Sequence, residues 1–398
     1  MVFVLIIWCL FIFVVGMRCS HNNLFSPSVL TGAIWATALI LFVVLGQKLP
    51  PLSLNFYLCS FCWISGLSFS SLCAQAATYR DSKLDQPGTL IRNIYLILSV
   101  IYFPKLIAFA RAAIANGASG NWAWDLRLAA IGHGSGFEEA FGGLFVVIWQ
   151  VSFLMEALCF EKKKWWRFAL ITFIYACFGA VTMSKITFLN MFLFSTSIFY
   201  FKKRISLKHL VGGISVLLVL FLSLQSIRQA IKFSDMDDNF FVTYIVSNLS
   251  AFDTLEPCSA EHFGENTFRF VYAFFNDMGW SNIEPVDILL KWIEKPIQTN
   301  TYTAMYPYYV DFGIIGLILF PLFMGAIYGW LYKKAEMGSN FHIIIYAFVI
   351  NIIFMQYAAD LFFTSLSGNL KLFVFILIPF LCSKHNLLII KDKIKGND

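Results

Sequence analysis

An all-α polytopic membrane protein is the fold class this sequence predicts, and three observations predict it. Of 398 residues, 59% are hydrophobic and only 13% charged, where soluble domains run near one half and one quarter. The mean hydropathy is +0.72, and 44 residues are phenylalanine. The apolar residues fall in runs close to the roughly 20 residues a bilayer-crossing helix needs. The positive residues form short clusters between those runs, as topology-setting cytoplasmic loops do, so the formal charge of +6 does not argue for nucleic acid. The same figures exclude an ordinary cytosolic enzyme, a disordered chain, a collagen-like chain and a disulfide scaffold.

The runs lie near 1–17, 28–45, 54–77, 89–110, 138–160, 168–183, 186–201, 209–224, 304–332, 341–360 and 370–382, about 11 transmembrane helices. The first lacks a basic region before it and has Arg18 after it, which favours a retained helix with its N-terminus outside over a cleaved signal peptide. Arg18, then Arg80 and Lys83, then Lys162 to Arg167, then Lys202 to Lys208, then Lys333 and Lys334, and finally the tail lysines mark one set of loops as cytoplasmic. The other set includes 111–137 and 225–303, which carry few positive charges for their length and should face the periplasm.

The expected organisation is therefore 1–224 as eight spans with short loops, 225–303 as a periplasmic cap, and 304–398 as three further spans with a basic tail. Segment 225–303 is too long for a connector. Phe241, Tyr244, Ile245, Leu249 and Phe252, then Phe268, Val271, Tyr272 and Phe275, recur at helical spacing within it. They predict short amphipathic helices that turn these residues toward lipid or the bundle. No internal repeat supports an inverted-repeat transporter.

Most of the nine cysteines lie inside apolar runs; Cys59 and Cys62 share a helix face but, without further soft ligands, read as core residues and give no metal site. His133, among Gly132, Gly134 and Gly136, precedes no strand–helix unit and is no nucleotide loop; it and His262 each read as a base or as an ordinary solvated loop histidine, with the second favoured.

Ionisable residues at the outer ends of spans are costly, which makes them the first candidates for function. Lys105 follows Pro104, Lys185 sits in the tight turn between spans six and seven, Arg228 follows span eight, and Arg269 begins an amphipathic stretch. Cations on the face where topology does not want them suit a bound anion: arginine presents a fixed fork to phosphate oxygens, lysine a point charge. Each could instead snorkel to head groups or pair with a loop acid; Arg228 and Arg269 together favour the anion site. Asp311, opening span nine, reads either as a proton acceptor or as a cap for free N–H groups. Thr299 to Tyr309 packs four tyrosines, including Tyr302 and Tyr306, with Asn300 and several threonines at the mouth of the same span. Such a segment suits either a sugar surface or an interfacial aromatic belt, and the added Asn and Thr residues tilt it toward sugar.

Asn23 to Leu30, Phe263-Gly264-Glu265-Asn266-Thr267-Phe268-Arg269, Thr299-Asn300-Thr301-Tyr302 and Tyr309-Val310-Asp311-Phe312-Gly313-Ile314-Ile315-Gly316 together resemble the Wzy-type O-antigen (oligosaccharide repeat unit) polymerases. The layout of a dozen or so spans with one large late outer loop is similar too, and the resemblance covers essentially the whole chain. It implies a GT-C-like glycosyltransferase of the bacterial inner membrane with its site facing the periplasm and no cofactor. It also implies an undecaprenyl-pyrophosphate-linked glycan as substrate, membrane lipid as surroundings, and a Wzz-type chain-length regulator and a Wzx-type flippase as partners. Carried over, Arg228 and Arg269 would hold the donor pyrophosphate, Asp311 would orient the site or assist the acceptor hydroxyl, and Lys185 would stand at a basic position between two spans. Two alternatives share parts of this pattern: an O-antigen ligase, with the same donor and another acceptor, and a lipid-linked oligosaccharide flippase or other transporter. The Asn-Thr-Tyr and Asp-Phe-Gly elements favour the polymerase over the ligase. The nearly charge-free midspan argues against a transporter.

Overall fold

The structure, a computed structural model, describes residues 1–47, 49–79, 86–117, 119–130, 144–205, 212–213, 223, 242–287, 290, 293 and 299–383. Regular structure among these residues is helical, with no strand beyond one isolated antiparallel pair, Ile293 with Thr299. The principal helices are α1 (Val2–Cys19), α2 (Pro27–Leu45), α3 (Leu54–Ala76), α4 (Thr89–Ala115), α5 (Trp122–Ala130), α6 (Leu144–Leu158), α7 (Trp165–Val181), α8 (Lys185–Phe201), α9 (Ser247–Phe252), α10 (Arg269–Asp277), α11 (Tyr306–Glu336), α12 (Asn340–Phe354) and α13 (Leu366–Leu381).

Six are long and apolar enough to cross a membrane by length and composition: α1 to α4, α11, and α12 with the turn that extends it to Tyr357. Helices α6, α8 and α13 are shorter and also apolar. The run 209–224 lies outside the described residues apart from Gly212, Gly213 and Ser223. Local chemistry sets several boundaries. Pro27 occupies the first turn of α2, where its missing N–H costs nothing. The Ser53 hydroxyl accepts the Phe56 N–H and caps α3. Helix α5, which hydropathy did not foresee inside 111–137, starts where the Asn121 side chain accepts the Ala123 N–H at 2.9 Å.

Packing divides the chain into two compact units, Met1–Tyr79 with Asp237–Lys333 and Val349–Asn369, and Arg80–Met236 with Lys334–Phe348 and Leu370–Asp398. In the first unit the core closes around Gln356. Its Oε1 accepts both indole N–H groups of Trp35 and Trp63, at 3.3 and 3.0 Å, and its Nε2 donates to the Thr31 hydroxyl and the Ile353 carbonyl. The carboxamide thus makes all four hydrogen bonds it can, which is the condition for burying it. Its own carbonyl accepts the Ala304 N–H at 2.8 Å, tying the entry to α11 into the same core. Asp253, just after α9, accepts the Ser53 N–H at 2.7 Å and bonds the Ser53 hydroxyl, so the segment after α9 is fastened to the start of α3.

In the second unit a buried acid on α6 organises the packing. Glu156, 3% exposed, takes a bidentate pair of hydrogen bonds from Arg167 of α7, at 2.9 and 2.8 Å, and lies 3.2 Å from Nε of Arg92 on α4. Arg204, past the end of α8, donates to the carbonyls of Ala157 and Leu158, which end α6.

Candidate functional site

The segment from Phe263 to Arg269 is a tight turn held from two sides. The Glu265 carboxylate accepts the N–H groups of Glu261 and His262, at 3.0 and 3.2 Å, which fixes the approach to the turn. His262 is exposed, the ordinary solvated histidine of the two readings. The far side is held by Asp311, which accepts the Asn266 N–H at 3.3 Å, the Asn266 Nδ2 at 2.8 Å and the Thr267 N–H at 2.7 Å. Asp311 therefore does cap free N–H groups, but those of a loop 45 residues earlier rather than of its own helix. Phe268 packs edge-on or tilted against Phe312, Phe320 and Phe363, and Tyr308 stacks on Phe320 at 4.6 Å and on Trp63 at 5.4 Å. Arg269 follows as the first residue of α10, its Nε donating to the Val286 carbonyl at 2.6 Å. Among the described residues its guanidinium makes no ion pair.

The Asp-Phe-Gly element has a backbone explanation. Helix α11 breaks at Gly313, whose φ of 58° and ψ of −143° place it in a region that side-chain-bearing residues avoid. The break frees the carbonyls of Tyr309 and Val310, and the loop N–H groups of Cys258 and Ala260 take them at 3.2 and 3.3 Å. Gly316 sits against the preceding turn so closely that a Cβ there would lie 2.3 Å from the Tyr308 carbonyl oxygen. The two glycines thus fold the first turns of α11 back over the following half, and this is what turns Asp311 toward the 266–267 loop.

These elements border a cavity of about 190 Å³ whose wall includes Arg269, Tyr302, Thr303, Tyr306, Asp287 and Asp360. Tyr302 and Tyr306 stand 4.9 Å apart between ring centroids, tilted by 32°, and the Tyr306 hydroxyl donates to Asn266 Oδ1 at 3.3 Å. Burial pushes the Tyr302 phenol above its ordinary value, so its hydroxyl is a neutral donor at working pH. The Thr303 hydroxyl is fully buried and, among the described residues, has no hydrogen-bond partner. Asp360 lies in the turn between α12 and α13, 5% exposed, and accepts the N–H groups of Phe362, Phe363 and Thr364 at 3.1, 3.0 and 2.9 Å. Burial raises its pKa; those backbone donors and the Tyr308 hydroxyl pull the other way without cancelling the rise.

Of the residues singled out by sequence, Arg269, Tyr302 and Tyr306 meet at this cavity, and Asp311 stands behind it as the anchor of the loop that carries Arg269. Asn300 is half-buried on the approach to α11 and is not part of the wall; its neighbours Thr299 and Thr301 bond each other, and Thr301 bonds Asn248 of α9. Lys105 and Lys185 belong to the second unit. Lys105 lies over the Tyr102 ring at 5.2 Å, and Lys185 opens α8 after the turn at Met183. Arg228 and His133 lie outside the described residues. Sequence reasoning passed over Asp360, and it included Thr303 only as one of the threonines of the Thr299–Tyr309 segment. Asp360 did carry a signal, being the only acidic residue between Glu336 and Asp392.

A family model described as "Putative O-antigen polymerase" matches residues 143–356, more than half of the chain, and that span includes Arg269, Tyr302, Tyr306 and Asp311 but ends four residues before Asp360. No curated protein and no solved structure matches.

Proposed function

This chain belongs to the O-antigen polymerase family, and on that premise we propose that it polymerises undecaprenyl-pyrophosphate-linked oligosaccharide repeat units at the outer face of the bacterial inner membrane. The growing glycan moves from its carrier onto the terminal sugar of a new carrier-linked unit. The acceptor hydroxyl oxygen bonds to the anomeric carbon as the bond from that carbon to the pyrophosphate oxygen breaks. The electron pair leaves with the pyrophosphate, and the hydroxyl proton passes to solvent. Such a leaving group needs its developing charge stabilised more than it needs a proton, and fixed cationic donors supply that stabilisation.

The observation that carries this reading is the cavity where Arg269, without an ion-pair partner among the described residues, meets Tyr302, Tyr306 and an unpartnered threonine hydroxyl. In this reading Arg269 grips the pyrophosphate and Arg228 supplies the second guanidinium. The two tyrosines offer ring faces to sugar C–H groups, and Thr303 and Asn300 offer polar groups to its hydroxyls. Asp311 acts through Arg269 as a positioning residue rather than on the substrate, because its carboxylate is already filled by three loop donors. Lys105 and Lys185 add positive charge on the outer side. The architecture is GT-C-like, with 225–303 as a periplasmic cap that follows the spans of 1–224 and precedes those of 304–398 along the chain. A Wzz-type regulator and a Wzx-type flippase are the partners such a reaction requires.

Arg269→Ala tests the proposal. Surface glycan should collapse from a ladder to a core capped by one repeat unit while the protein still accumulates in the membrane. Purified wild-type protein given carrier-linked units alone should lengthen them without nucleotide. A normal ladder in the variant would remove the phosphate site. A core with no repeat unit at all in a deletion strain would point to a ligase or a flippase instead.

A further inference from the structure

The second half of the late outer loop leaves a compact apolar surface uncovered. Helix α10 is amphipathic, and its polar arc is used internally. The Tyr272 hydroxyl donates to the Phe263 carbonyl at 2.7 Å, and Asn276 Nδ2 donates to the carbonyls of Ser281 and Ile283 at 3.4 and 3.2 Å. The opposite arc presents Val271, Phe274 and Phe275, followed by Met278, all exposed. The chain then turns back, with the Trp280 N–H bonded to the Phe275 carbonyl at 2.8 Å, and lays the Trp280 ring 5.7 Å from Phe275 and 6.2 Å from Phe274. Trp280 remains 70% exposed. A preformed cluster of large apolar rings facing outward has to be covered by something.

Continuity decides the occupant. Phe263, 80% exposed, packs on Phe312 of α11 at 5.2 Å, and Phe268 packs on the same ring at 6.2 Å. Immediately beyond Phe312, α11 exposes Ile314, Ile315, Ile318, Leu319 and Phe323, the outward stripe of a helix long and apolar enough to cross the membrane. The exposed surface of the α10 region therefore runs into a lipid-facing one, and it ends in a tryptophan, the residue that favours the head-group boundary.

We propose that the apolar arc of α10 and the Trp280 turn bed into the outer-leaflet interface, and that this sets the depth at which Arg269, the first residue of the same helix, meets a lipid-borne phosphate. The second half of that statement rests on the proposed function; the first does not. The charge pattern sharpens it. Surface helices that bind through electrostatics are rich in Lys and Arg, whereas the only cation in α10 is Arg269, with Asp277 at its other end. Insertion here is driven by apolar burial. It is indifferent to lipid charge and to salt.

The test uses the full chain in phosphatidylcholine vesicles carrying bromine either near the head group or deep in the acyl chain. The emission of wild type minus that of Trp280→Phe isolates one indole from the protein's 11 tryptophans. The difference signal should be quenched more by the shallow bromine than by the deep one and protected from aqueous iodide. It should not change when phosphatidylglycerol or high salt is added. Quenching by iodide and not by bromolipid would overturn the proposal and leave the surface to a protein partner or a second copy. In the same vesicles, a Phe274→Glu, Phe275→Glu variant should raise KM for the carrier-linked donor several-fold with kcat retained. An unchanged KM would overturn the link to Arg269. Wild-type protein that fails to elongate carrier-linked units would sink the proposed function and not the fluorescence result, so the two failures are separable.

Discussion

Two clusters of charge, one in each compact unit, are treated in opposite ways. In the second unit Glu156 is enclosed by Arg92 and Arg167, so a buried acid is matched by cations on two neighbouring helices. In the first unit Arg269 and Asp360 border one cavity, yet among the described residues neither makes an ion pair. Asp360 is supported by backbone N–H groups and a phenol, which hold a carboxylate in place without neutralising it. A folded chain gains little by leaving ionisable groups unpaired out of water unless they serve a ligand. The paired cluster reads as scaffold and the unpaired one as site.

That contrast can be broken by experiment, and the largest effect should come from the scaffold. Glu156→Gln leaves two arginines facing a neutral group and should cost about 3–5 kcal/mol, seen as a sharp loss of thermal stability in detergent. A stable variant would mean the cluster is not the scaffold described. Asp311→Asn should come next. Its carboxylate holds the 266–267 loop through three donors, and weakening charge-assisted bonds of this kind costs about 1.5–3 kcal/mol. Elongation should fall well below wild type while the protein stays folded, and an unchanged elongation rate would deny that Asp311 positions Arg269.

Asp360→Asn should cost less, on the order of 1 kcal/mol, because one backbone donor loses its acceptor while no cation is orphaned. The sign of its pH dependence follows from the raised pKa. The stability Asp360 contributes is full below the ordinary carboxyl value and is lost as pH rises through the higher native value. Wild type should therefore gain on Asp360→Asn as pH is lowered from neutral, and parallel melting curves across that range would refute the assignment. The smallest structural effect belongs to Thr303→Val. The buried hydroxyl has no partner to lose among the described residues, so stability should hold or rise slightly. The KM for the carrier-linked unit should nonetheless increase; melting temperature and KM measured together separate the two readings of this residue.

Much of the candidate site was legible, for reasons that differ by residue. Arg269, Tyr302 and Tyr306 sit at or just before the starts of helices, in short segments whose chemistry is unusual for a membrane protein, so composition alone marks them. Asp311 was visible as a charge at a span mouth, but its role was not, since its partners Asn266 and Thr267 come from a loop far back in the chain. The break at Gly313 was hidden because the apolar run 304–332 reads as one uninterrupted span; hydropathy averages over the very residue where the helix turns aside. Asp360 fell at the edge of an expected span and was overlooked, although a lone acid in an apolar stretch is itself a signal.

By itself the sequence determined the class of the protein and where most of its helices run. Burial in lipid is paid residue by residue along the chain, so composition and run length record it directly. Only the tertiary structure decided which charges are matched and which, among the described residues, are not. Pairing depends on distances between segments remote in sequence, as when Glu156 finds Arg92 or Asp311 finds Thr267. Electrostatic interaction falls with separation in space, and separation along the chain does not measure it.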